Sequence, residues 1–142
     1  MSKRKFYFFI FLFVFFLGNN GVAKDNYFDE GKKLFDEKKF PESRFKFEQD
    51  IVFNPKNERS YLYLAKIFKQ EKKDDLEEQN LNTVILLNPK NEEALYLLTL
   101  LRIKKSDYEE SNKLIKKFHK ICKKICDKEV ELKKKLQRLE IN

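Results

Sequence analysis

The sequence predicts an all-α protein, a short stack of helix pairs with a closing helix at its end. Three observations point there. Only three glycines and three prolines occur in 142 residues, too few for a β-rich or loop-rich fold. Apolar residues recur at spacings of three, four and seven, which places them on single helix faces. A six-residue segment also returns: Phe53-Asn54-Pro55-Lys56-Asn57-Glu58 reappears 34 residues later as Leu87-Asn88-Pro89-Lys90-Asn91-Glu92.

The first 23 residues read as a leader outside the stack. Ser2-Lys3-Arg4-Lys5 is basic, and residues 6–17 are an unbroken apolar run of twelve, seven of them Phe. Gly18-Asn19-Asn20 is polar, and Gly21-Val22-Ala23 then puts small residues three before and one before a cut. A signal peptide over residues 1–23, cleaved after Ala23, is expected. As a helix the apolar run would span roughly 18 Å, well short of a bilayer core of about 30 Å. Retention as an uncleaved anchor is the alternative. No cysteine near the cut marks a lipoprotein. Cleavage implies an exported protein, periplasmic or secreted, with no membrane span left and conditions that permit disulfides.

The remaining 119 residues show the helices in order. Tyr27, Gly31, Leu34 and Phe35 form one stripe, and after Phe40-Pro41 comes a second with Ser43, Phe47 and Ile51. Tyr61, Leu64, Ala65 and Phe68 follow, then a polar break at Lys72-Lys73-Asp74, then Leu81, Val84 and Ile85. A third unit has Leu95, Leu98 and Thr99, continuing through Tyr108, Ser111 and Ile115. Pro55 and Pro89 each stop one helix and, with Asn before them, open the next turn. Asp127 suits the N-cap of a closing helix from Lys128 to about Glu140, with Leu132, Leu136 and Leu139 on one face. That makes seven helices.

In these residues the chain resembles the tetratricopeptide repeat (TPR), a 34-residue helix-turn-helix with the pattern W-x2-L-G-x2-Y, then A-x3-F, then P. Tyr27, Gly31, Leu34, Ser43, Phe47 and Pro55 stand at its Trp, Gly, Tyr, Ala, Phe and Pro. Tyr61, Leu64, Ala65, Phe68, Leu81 and Pro89 match in the second unit, although Glu77 replaces a small residue; the third lacks the closing Pro. The resemblance implies a right-handed stack of three TPR helix pairs, residues 24–57, 58–91 and 92–125, capped by a helix in residues 126–142. Gly31, Ala65, Thr99, Ser43 and Ser111 would let paired helices approach closely. The last apolar face needs the cap.

It also implies a concave groove lined by the first helix of each pair. Its stripe begins one residue after the anchor and continues four and seven further on: Phe28, Lys32, Phe35; Leu62, Lys66, Lys69; Tyr96, Leu100, Ile103. Apolar side chains left on such a surface mark a partner site, and packed core in a tightly curved stack is the alternative for Phe28, Phe35 and Leu100. Chaperone-binding members of the family clamp a peptide carboxylate with Lys, Arg and Asn. Phe28, Tyr96 and Leu100 stand among those positions here, so that ligand is not carried over.

Catalysis is not expected. There is no glycine after Gly31 to cradle a phosphate, and one histidine, His119, with Cys122 and Cys126 supplies neither a Ser-His-Asp triad nor a four-ligand zinc site. No cofactor or metal is implied. The repeat frame puts Cys122 and Cys126 in the loop before the cap, where either a disulfide or merely packed thiols fit. They do not form the Cys-x-x-Cys of a redox enzyme.

The chain carries +8 in all, and +5 once the leader's Lys3, Arg4 and Lys5 are gone. Residues 102–142 carry a net +7, which leaves residues 24–101 at −2. Lys113, Lys116, Lys117, Lys120, Lys123 and Lys124 interleave with apolar residues at helical spacing, which reads as a solvated face. Nucleic acid is not expected as a partner, since 26 of the 31 basic residues are Lys. The resulting expectation is a non-enzymatic interaction module that binds another envelope protein or peptide, with self-association open. The alternative is a cationic envelope-associated protein whose Lys-rich C-terminal helices attach to anionic lipid or polymer.

Overall fold

The computed structural model describes residues 26–140, with side chains to Arg138; the expected leader lies outside the described residues. Among the described residues seven helices follow one another: α1 Tyr27–Asp36, α2 Phe40–Phe53, α3 Glu58–Gln70, α4 Asp74–Leu87, α5 Glu92–Lys104, α6 Tyr108–Ile121 and α7 Lys128–Glu140. No strand occurs among the described residues. The chain is all-α, a short solenoid of helix pairs in which α7 packs on α5 and α6.

Local sequence chemistry sets the breaks. The turns inside the three pairs each place a non-glycine residue at positive φ, Lys38 at 61°, Lys72 at 57° and Ser106 at 57°, so the 34-residue period is written in the backbone as well. Side chains cap the following helix at both junctions between pairs, through Asn57 and Asn91, and inside the third pair, through Asp107. Asn57, Asn91 and Asp107 accept hydrogen bonds from the backbone N–H of Arg59, Ala94 and Glu110 at 3.3, 2.9 and 3.2 Å. Pro41 sits in the first turn of α2, where its missing N–H costs nothing.

Pairing rests on close approach at the small residues. A Cβ on Gly31 would meet Phe47 Cε1 at 2.8 Å, and Phe47 is fully buried with its ring stacked on Tyr63 at 5.0 Å. Ser43 Oγ donates to the Gly31 carbonyl at 2.8 Å, joining α2 directly to the α1 backbone. Ala65 and Thr99, at the equivalent places, are fully buried. Glu77 breaks the rule: it is buried in a small-residue slot, and burial pushes its carboxyl pKa up.

One junction carries a polar network that nothing in the sequence pattern announces. Asp50, 2% exposed, accepts hydrogen bonds from Asn54 Nδ2 at 3.1 Å, Asn57 Nδ2 at 2.7 Å and Ser60 Oγ at 2.5 Å. It thereby ties the end of α2 to the start of α3. One period later Val84 and Ala94, both buried, replace Asp50 and Ser60, while Asn88 and Asn91 keep the asparagine places and turn to Glu58 and the Ala94 backbone N–H instead.

Three outcomes follow for thermal or denaturant melts of residues 24–142. Ala65→Leu overpacks the middle pair and costs roughly 1–3 kcal/mol. Asp50→Ala leaves three donors without their acceptor and costs about 1–3 kcal/mol. Glu77→Gln removes a disfavoured charge and raises the melting temperature at neutral pH. Because the folded-state pKa of Glu77 is raised, its penalty is present above that pKa and fades as pH falls towards the unfolded value, so the gain from Gln shrinks in acid.

Candidate functional site

Helices α1, α3 and α5 carry the nine residues expected on the concave side, and the structure divides them. Phe28, Leu62 and Ile103 are 6%, 7% and 4% exposed and belong to the core: for Phe28 this is the packed-core alternative, and for Leu62 and Ile103 it corrects the groove expectation. The cause is packing from the partner helix and from the neighbouring repeat together. The Arg59 guanidinium lies 3.9 Å over the Phe28 ring, and Phe47 and Tyr63 enclose it at 5.7 and 5.8 Å. Leu62 and Ile103 join the larger apolar cluster with Leu95, Leu98 and Leu114. Lys32, Phe35, Lys66, Tyr96 and Leu100 are half-buried, and Lys69 is exposed.

The half-buried residues form a ladder of charges and rings across successive repeats. Lys32 pairs with Asp36 at 2.6 Å, and the Phe35 ring meets Tyr63 edge-on at 5.0 Å. Lys66 Nζ stands 4.7 Å from the Tyr63 ring centre and 2.7 Å from Glu93. Tyr96 Oη donates to Glu131 Oε2 of α7 at 3.0 Å, with Lys128 Nζ 5.8 Å from its ring. Burial and the bond to that carboxylate push the Tyr96 hydroxyl up to about 12, so it stays a neutral donor at ordinary pH.

Four participants escaped the sequence reading. Arg59 and Glu93 were within reach of it, since extending the stripe three residues towards each helix start gives both. Tyr63 stands one residue off the stripe, and Glu131 arrives from the cap.

Beside this surface, the loop between α6 and α7 is stapled twice. Cys122 and Cys126 form a disulfide with Cα atoms 5.3 Å apart. Glu92 Oε2 accepts the backbone N–H groups of Lys124 and Ile125 at 2.9 and 3.1 Å, which pulls its pKa down. Because α6 ends at Ile121, His119 and the two cysteines do not share one continuous helix face. His119 Nδ1 turns to Glu129 instead, at 2.8 Å.

The class of protein is now defined by its fold: the described chain has the fold of tetratricopeptide repeat domains. Three solved structures show the likeness. The first TPR of Spaghetti (RPAP3), bound to the HSP90 peptide SRMEEVD, superposes with a TM-score of 0.71 at 21% identity, over 80% of this chain and 90% of that one. The second TPR domain of human RPAP3, in complex with the HSP70 peptide SGPTIEEVD, gives 0.68 at 16% identity, over 77% and 90%. A tetratricopeptide repeat protein from Parabacteroides merdae gives 0.77 at 18% identity, over 87% of this chain and 48% of that one. No family model and no curated protein matches the sequence.

The cap is expected to loosen in acid. Glu92, Glu129 and Glu131 all have depressed pKa values, through the Lys124 backbone N–H, the Lys133 ammonium and the Tyr96 hydroxyl respectively. Groups of this kind stabilise the fold above the unfolded carboxylate value and lose that contribution as pH falls through the folded one. Amide exchange in α7 should therefore accelerate relative to α3 below about pH 4. Equal protection of both helices across that range would contradict the assignment.

Proposed function

We propose that residues 24–142 are a non-catalytic interaction module that takes a segment of another cell-envelope protein, or a peptide, along the concave side. The observation that carries this reading is the row of partly open side chains Lys32, Phe35, Lys66, Tyr96 and Leu100, which offers apolar area flanked by ammonium groups. The fold supports it, because structural neighbours hold acidic peptides of chaperones. The envelope setting follows from the leader pattern in residues 1–23, and export to the periplasm or the outside is part of the proposal.

A second reading has its own observation. Lys116 and Lys120 on α6 are exposed and form no ion pair with any described residue, so this face could hold anionic lipid or polymer.

One comparison separates the two. The mature chain is used to capture its partner from envelope extract, and affinities are then measured for two double variants at low and high salt. With the partner in the groove, Lys66→Ala plus Leu100→Ala weakens binding by more than about 1 kcal/mol, and salt matters little. Loss confined to Lys116→Glu plus Lys120→Glu, with steep salt dependence, overturns the groove in favour of the lysine face.

A further inference from the structure

Antiparallel pairing gives the stack two ends, and their chemistry differs. At one end lie the turns inside the repeats, near residues 37–39, 71–73 and 105–107. Lysines there are mixed: Lys38 and Lys72 are exposed and form no ion pair with any described residue, whereas their neighbours are engaged, and the only large apolar side chain exposed near this end of the described chain is Leu76. Lys39 meets Glu37 at 2.8 Å, Lys73 meets Glu71 at 2.6 Å, Lys104 meets Asp74 at 2.7 Å, and Lys105 meets Asp75 and Glu78 at 3.0 and 2.8 Å.

At the other end lie the start of α1, the loops between repeats and the start of α7. Contacts across the helices fix this grouping. Tyr27 stacks on Phe53 at 5.6 Å, Asn88 Nδ2 donates to Glu58 Oε1 at 3.3 Å, and the Lys124 backbone N–H donates to Glu92 at 2.9 Å. Here Lys56, Lys90 and Lys123 are exposed and form no ion pair with any described residue. Seven large apolar side chains of the described chain are exposed, and five of them, Val52, Phe53, Leu86, Leu87 and Val130, belong to this end. Val52 and Leu86, 73% and 81% exposed, occupy the same place in successive repeats.

Lysines alone would be a solvated loop region. Apolar tips at the same level as unpaired ammonium groups are the chemistry of a bilayer interface, where the tips enter the acyl boundary and the lysines reach phosphate. The described chain also enters α1 at this end, so where residues 6–17 stay uncleaved as an anchor, the alternative to cleavage after Ala23, their eight-residue distance from Asn26 keeps this end within about 30 Å of the membrane.

We propose that this loop end, through Val52, Phe53, Leu86, Leu87 and Val130 with Lys56, Lys90 and Lys123, rests on the headgroup surface of an anionic lipid bilayer. Lys66 and Leu100 lie in mid-helix and stay clear of that surface, so the docking is separate from the proposed groove, whereas Lys120, one period after Leu86 in the last turn of α6, stands at this end.

The test uses residues 24–142, which contain all seven helices, floated with phosphatidylglycerol-rich vesicles and with pure phosphatidylcholine vesicles. The wild-type chain should float with the first and far less with the second. Val52→Ser plus Leu86→Ser, and separately Lys56→Glu plus Lys90→Glu, should each lower partitioning at least about tenfold with unchanged melts, since all four side chains are exposed. Lys38→Glu plus Lys72→Glu, on exposed lysines of the opposite end, should leave it within about twofold. Three results would overturn the proposal: no flotation of the wild type with phosphatidylglycerol, loss only in the Lys38 and Lys72 pair, or a dimer that Val52→Ser plus Leu86→Ser abolishes in a chain that does not float.

Discussion

How closely two helices can approach within a pair decides most of what this chain does. At Gly31 the distance is so short that a single methyl would press on the buried Phe47 ring. That ring in turn stacks on Tyr63 of the next repeat, and Tyr63 carries contacts to Phe28 and Phe35. One missing Cβ therefore positions the side chains of two repeats. A loose first pair would shift Tyr63, and with it the ammonium of Lys66 on the concave side.

The two inter-repeat junctions solve one geometric problem by different chemistry. Asp50 gathers three polar neighbours, whereas Val84 and Ala94 close the equivalent space by packing. A buried carboxylate is tolerated only because its acceptors are filled, so this junction is directional where the other is merely tight. Arg102 adds a further link between repeats, reaching Glu78 at 2.5 Å and Asp107 at 3.3 Å.

The cap does more than cover an apolar face. Leu132 and Leu136 are buried as a terminal helix requires, yet α7 also brings Glu131 to Tyr96 and so helps shape the concave surface. The disulfide and the Glu92 hydrogen bonds fix the loop from which α7 departs. Surface and cap are thus one mechanical unit, and what loosens the cap also alters the surroundings of Tyr96.

The helices and their order were legible in the sequence, because period and apolar spacing follow from backbone geometry that is the same wherever a helix forms. So was the closing helix, where α7 begins at Lys128 directly after Asp127. The sequence also picked out Lys32, Phe35, Lys66, Tyr96 and Leu100 as stripes of the first helices, and the structure leaves these five half-buried. Tertiary structure alone decided which stripe residues stay open. Phe28, Leu62 and Ile103 share those stripes but are covered by residues from neighbouring helices, as Arg59 covers Phe28. Asp50 and Glu131 found their roles the same way, through partners on other helices, and a one-dimensional period carries no information about how far one repeat leans on the next.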